Sequence, residues 1–174
     1  MVSPDRYHRW LVTLHWVLAV LIIAMLIVGF AWLGQMPAAD PWRLDVLRWH
    51  MAGGILILIL TSLRFVVRIR TVRPVRASTG NRTLDRVALV SHLAFYAIVL
   101  SMAGTGLATA IAADLPAIVL GRSSADLPAD FMIYAPFVAH ALLATLLANL
   151  ILLHLLGVGY HQLVRRDRLL SRML

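Results

Sequence analysis

Residues 140–154 read HALLATLLANLILLH, and this stretch decides how the chain is built. It holds no charged residue and opens and closes on histidine, His140 and His154. Thirteen residues of this composition between two imidazoles form an α-helix too apolar for the surface of a soluble protein. Over fourteen residues an α-helix turns to within about 40° of its starting azimuth and rises about 21 Å. The two histidines therefore share one face of the helix and stand at two depths.

Working outward, the same kind of run recurs. Apolar segments at about 10–33, 46–67, 87–112 and 131–164 are each long enough to cross a bilayer, which takes about 20 helical residues. The 174 residues are 61% hydrophobic and 14% charged, against roughly half and a quarter for an ordinary soluble domain. The first run is too long for the apolar part of a secretory signal, and no small-residue cleavage site follows it, so it reads as a retained span. No repeat, low-complexity tract or separate soluble domain interrupts the pattern. The expectation is one all-α domain over 1–174, a four-helix bundle in the membrane.

The formal charge of +8 comes from sixteen Arg against eight Asp, with no Lys and no Glu. A nucleic-acid partner is excluded by where the arginines lie, which is at the ends of the apolar runs. Segment 64–86 carries seven, the stretch after the fourth run adds Arg165, Arg166, Arg168 and Arg172, and the start of the chain adds Arg6 and Arg9. With four spans these thirteen share one side, and Arg43, Arg48 and Arg122 are left on the other. By the positive-inside rule, both termini and the central loop face the cytoplasm. The turn-forming links 36–41 and 121–128 then lie outside.

Seven histidines are present: His8, His15, His50, His92, His140, His154 and His161. An ionisable side chain inside a bilayer is costly and marks function by default, although a single one also serves as a hydrogen-bonding link between helices. Antiparallel spans pair four of them by depth. His15, early in the first span, meets His154 at the inner level. His50, at the start of the second, meets His140 at the outer level. Two pairs about 21 Å apart cannot converge on one ion, and two imidazoles without a carboxylate leave a zinc site incomplete. A haem brings four nitrogens of its own and needs only two axial ligands. With no cysteine in the chain, thiolate ligation and covalent c-type attachment are excluded, so each haem is a non-covalent b haem.

The fourteen-residue step also links His15 to Gly29, His92 to Gly106 and His50 to Arg64. Gly29 and Gly106 leave room for a macrocycle at the outer level, as Gly53 does one turn below His50; close helix packing is the alternative reading for each. Arg64 is an inner-level cation suited to a haem propionate, or one that snorkels to the headgroups. His92 starts the third span at the inner level and competes with His15 as a ligand. With four ligands already named, its expected role is to bond a propionate or line a neighbouring binding site.

In their order and spacing these residues resemble the bacterial cytochrome b561 family, small four-helix membrane proteins with two haems. The likeness rests on His15-Trp16, on His50-x-x-Gly53 with Arg64 and Arg68, on His92-x-x-x-Tyr96, and on His140, His154 and His161 followed by Val164-Arg165-Arg166-Asp167 and Arg172-Met173-Leu174. The chain departs from the family pattern in lacking a proline near 102–104, in Ala141 after His140, and in Tyr160-His161 where paired histidines are frequent.

The resemblance implies electron transfer between a reductant and membrane ubiquinone in a bacterial inner membrane. Some members are similar to a superoxide oxidase, and others to cytochrome subunits that serve a hydrogenase or dehydrogenase. A haem-binding membrane module without turnover is the third reading. The short length and the lack of an added domain favour the self-contained oxidase.

Two substrate regions follow. His161, seven residues after His154, shares its face about 10 Å further on and is the expected contact and proton donor for a quinone, with Arg9, Arg68 and Tyr160 in support. A solvated histidine at a helix C-terminus is the plainer alternative. Outside, Arg48, with Arg43, Trp42 and Trp49, would steer superoxide toward His50 or anchor the interface. Acid–acetone extraction followed by a pyridine haemochrome assay is expected to return about two b haems per chain, none covalent. A covalent haem, or a yield of one or none, would sink the ligand reading.

Overall fold

The computed structural model describes residues 4, 6–72, 74, 80–166 and 169–173. Of the residues counted or named above, Arg73 and Arg76 in segment 64–86, and Asp167, Arg168 and Leu174, with the side chain of Arg172, lie outside that set. The chain is all-helical, with no strand among the described residues. Helix α1 covers Arg9–Ile27 and widens into a π-helical turn at Val28–Leu33. Helix α2 covers Arg43–Arg70 and α3 covers Arg82–Ala112. A short α4, Leu115–Val119, lies in the third connection. Helix α5, Ala135–Gly159, runs on into a second π-helical turn at Tyr160–Arg165. Four of these units, Arg9–Leu33, Arg43–Arg70, Arg82–Ala112 and Ala135–Arg165, are long and apolar enough to cross a bilayer.

The ends of the spans differ from those expected of apolar runs alone, for local reasons. Helix α3 begins at Arg82, earlier than its apolar stretch, because the Asn81 side chain accepts from the Thr83 and Leu84 amides at 2.9 and 3.4 Å. Helix α2 begins at Arg43, after Asp40 accepts from the Trp42 amide at 2.8 Å and turns the chain. Helix α5 begins at Ala135, later than the apolar run. Asp130 holds the Met132 amide at 2.7 Å, and Pro136 in the first turn suits a helix start. Between α3 and α4, Asp114 takes a left-handed φ of 49° and reverses the chain.

Helix α1 packs on α2, α2 on α3 and α3 on α5, and α5 reaches α1 through the ring of His154 at His15. Leu18, Ile57, Val99 and Leu147, one from each span, are buried together at the centre. A second cluster, Ala110, Ala113 and Leu115 with Leu47, Phe131 and Tyr134 against it, closes the end that carries the α1–α2 and α3–α5 connections, called here the loop end. At the termini end, the 3-10 turn Leu169–Met173 folds back so that the Trp16 indole N–H donates to the Met173 carbonyl at 2.8 Å. Outside the core the spans are apolar and uncovered; Val20, Ile59 and Leu163 are 68%, 57% and 75% exposed. Such a surface is stable only where lipid replaces water, and continuous helices satisfy the backbone there.

Candidate functional site

Six of the seven histidines fall within the described helices and their π-helical turns, and five of them meet across helices. The His50 and His140 rings stand 6.2 Å apart, centre to centre, toward the loop end. The His15 and His154 rings stand 6.3 Å apart toward the termini end. With metal–nitrogen bonds of about 2 Å and each ring centre about 1.2 Å behind its nitrogen, two imidazoles on opposite sides of one iron are about 6 Å apart. Both pairs have the spacing a haem needs.

Three further observations test that fit at the loop-end pair. The His140 Nδ1 lies 2.9 Å from the Met102 carbonyl, so Nδ1–H donates there and Nε2 is left as the free lone pair. The His50 Nδ1 is buried without a hydrogen-bond partner, a costly state for a lone imidazole. Two glycines flank the pair. A Cβ at Gly106 would sit 3.2 Å from the His140 ring, and one at Gly29 would sit 3.4 Å from His50 Cε1. A side chain at Gly106 would press on the His140 ring, whereas one at Gly29 would reach no more than close contact with His50. The residues fit a haem held by His50 and His140.

Gly53 has a different neighbour. A Cβ there would run into the sulfur of Met25 on α1, so Gly53 lets α1 and α2 pack closely, the alternative reading for that glycine.

The termini-end level is more crowded. His154 meets His15, and it also meets His92 at 5.8 Å and Phe95 at 5.5 Å. His92 Nδ1 lies 2.5 Å from the Ala88 carbonyl one turn back, which fixes its ring and turns Nε2 away from its own backbone. Trp16 stands edge-on to His15 at 5.3 Å. Beside these rings, an Arg64 terminal nitrogen donates to the Tyr96 hydroxyl at 2.5 Å, and the Arg64 and Arg68 guanidinium carbons lie 5.6 and 5.8 Å from the Tyr96 ring centre. Arg64 Nε is buried without a partner. A guanidinium held by a phenol and still owed an acceptor fits a propionate better than snorkelling, since a snorkelling group finds its acceptors in headgroups and water. Among the described residues, no group of three or more His, Cys, Asp or Glu converges as ligands of a bare ion.

The remaining expected residues lie apart from the histidine pairs. His161 is half-buried in the π-helical turn and stands edge-on to Tyr160 at 5.9 Å. The turn starts at Tyr160, so the regular α-helical period carries from His154 only as far as Gly159. Arg9 is exposed and stacks on Trp10 at 5.9 Å. On the loop end, Arg48 is bound to Asp45 at 2.6 Å and donates from Nε to the Val119 carbonyl at 2.9 Å. Arg43 is buried, donates to the Pro128 carbonyl at 3.3 Å and faces the Phe131 ring. Both arginines tie α2 to the α3–α5 connection, and the Arg48 side chain stays 41% exposed beside Asp45.

Sequence reasoning missed the Met102 carbonyl, Phe95 and the Met173 carbonyl. Phe95 could have been found from its place three residues after His92, on the same face. The two carbonyls carry no signal in residue type.

His140→Ala is expected to remove the haem at the loop end and spare the other, and Gly106→Val to lower occupancy of the same site by crowding His140. Loss of the same spectral component from His154→Ala as from His50→Ala would show the pairing to be wrong. For His92→Ala, both low-spin spectra are expected to persist, with a shifted midpoint potential for the termini-end haem. Disappearance of one low-spin spectrum would make His92 an axial ligand.

The prokaryotic cytochrome b561 family matches residues 6–174. A comparison with curated proteins gives no match. A family match over nearly the whole chain agrees with four apolar spans and inward imidazoles: the chain belongs to the prokaryotic cytochrome b561 family and is a multi-pass transmembrane electron-transfer cytochrome of the haem b type.

Proposed function

We propose that this cytochrome carries electrons across the bacterial inner membrane from superoxide, at the loop end, to ubiquinone at the termini end. The observation that carries the reading is the pair of histidine couples at opposite ends of one bundle, His50 with His140 and His15 with His154. In it, each couple holds one b haem by its two imidazoles. These haems supply reversible one-electron chemistry, and the protein supplies position and surroundings. Met102 orients His140, Gly29 and Gly106 keep the loop-end space open, and Arg64 with Tyr96 offers donors to a propionate at the other end. The thirteen-to-three arginine bias orients the termini end to the cytoplasm.

The reaction balances simply. Two superoxide anions each give up one electron and leave as dioxygen. One ubiquinone takes the two electrons and two protons and leaves as ubiquinol. His50 lies seven residues from the first residue of α2, about 10 Å along the helix, which is shallow enough for a small reductant to approach. Proton supply is needed only where the quinone is reduced. His161 is the proposed contact to a quinone carbonyl and the proton relay, with Arg68, Tyr160 and Arg9 in support.

A second reading has support of its own. With Arg48 paired to Asp45 and Arg43 buried, the two arginines nearest His50 offer little free charge to a small anion. That favours a partner redox protein as donor. Haem-loaded protein mixed with a superoxide source, with and without added ubiquinone, separates the two. The expected result is fast haem reduction, and reoxidation only when quinone is present. Absence of reduction by superoxide would leave the partner protein as donor. In His161→Ala that keeps both haems, reduction should stay fast while reoxidation by quinone slows at least about tenfold. Unaltered reoxidation would move the quinone elsewhere.

A further inference from the structure

The buried cluster at the centre of the bundle has a regularity that haem ligation does not require. Leu147 on α5 is fully buried and lies seven residues from both His140 and His154. Ile57 on α2, 3% exposed, lies seven residues from both His50 and Arg64. Val99 on α3, also 3% exposed, lies seven residues from both His92 and Gly106. On α1, Ile22 lies seven residues from both His15 and Gly29 and packs on this cluster beside Leu18. Seven residues rise about 10 Å. All four spans therefore place an aliphatic side chain at one depth, midway between the two histidine levels, and these side chains touch.

Polar groups avoid this layer. The buried polar atoms without partners fall on either side of it: His50 Nδ1 toward the loop end, Thr61 Oγ1 and Arg64 Nε toward the termini end. Thr145 and Asn149, near the same depth on α5, are exposed on the outside of the bundle and bond to their own helix through the Ala141 and Thr145 carbonyls. A water molecule in a protein interior needs two to four polar partners, and a narrow aliphatic constriction empties of water. A bare proton or hydronium meets a large desolvation cost there. An electron needs no such shell and tunnels through packed side chains.

We infer that the layer of Ile22, Ile57, Val99 and Leu147, with Leu18 one turn nearer the termini end, is a proton-tight septum that passes electrons between the two ends and blocks protons. The inference rests on the two-haem reading for its electron half. Protons for quinone reduction then enter only from the termini end. Two electrons reach the quinone from the loop end and meet two protons from the termini side. Each quinol formed thus moves two elementary charges across the membrane, and turnover charges the bilayer.

The test measures passive proton entry, without turnover. Haem-loaded protein is reconstituted into liposomes that hold a pH-sensitive dye, and a potassium gradient with valinomycin supplies the driving force. Wild-type vesicles are expected to match protein-free vesicles. Leu147→Asn, carrying both haems with unchanged low-spin spectra, is expected to raise proton entry at least about threefold by hydrating the layer, while Leu147→Met stays at the wild-type level. Wild-type vesicles that leak protons well above protein-free ones would overturn the septum, whether or not the variant folds. So would Leu147→Asn with two haems and no added leak. A wild-type protein that is proton-tight yet lacks two haems would sink the two-haem reading and leave the septum standing.

Discussion

A bilayer offers no water to an unpaired peptide group, so each span must satisfy its backbone within its own helix. Everything else in this molecule follows from that constraint. Backbone carbonyls and amides are mostly consumed along the spans, so side chains carry most of the binding, with the Met102 carbonyl that accepts from His140 as an exception. A helix that must run straight through about 30 Å of hydrocarbon can then present function only at intervals set by its own period. Fourteen residues bring a side chain back to nearly the same face one level deeper, and seven bring it to the midpoint. In α5 those positions are His140, Leu147 and His154; in α2 they are His50, Ile57 and Arg64. One geometric rule thus yields three layers, polar, apolar and polar, inside a bundle whose outside is uniformly apolar.

The two ends are built differently, which suits an electron carrier with a direction. At the loop end, Arg48 is held by Asp45 and the Val119 carbonyl, and Arg43 by the Pro128 carbonyl and Phe131. These contacts brace the connection between α3 and α5 over the His50–His140 couple. Toward the termini end, cations and phenols stand near the His15–His154 couple, with Arg64 and Arg68 against Tyr96. Both departures from α-helical geometry within the spans also fall at their ends, at Val28–Leu33, which includes Gly29, and at Tyr160–Arg165, which includes His161. Wider π-helical turns often occur at functional sites because they rotate the following residues off the regular face.

The sequence by itself determined the number of spans, their antiparallel course, the two depths of the histidines and the arginine bias. These are legible because composition sets what crosses a membrane, and because rise and rotation per residue are properties of one helix. The tertiary structure decided what depends on neighbours. It set Met25 against Gly53 and gave His140 the Met102 carbonyl. It brought His92 and Phe95 to the ring of His154 and Met173 back to Trp16. It also spent Arg43 and Arg48 on loop contacts that their sequence positions do not disclose. Spacing along a chain fixes which residues share a face and a depth. Which way that face turns, and what lies opposite, is set by the tilt and azimuth of each helix against the others, and those exist only once four helices have packed.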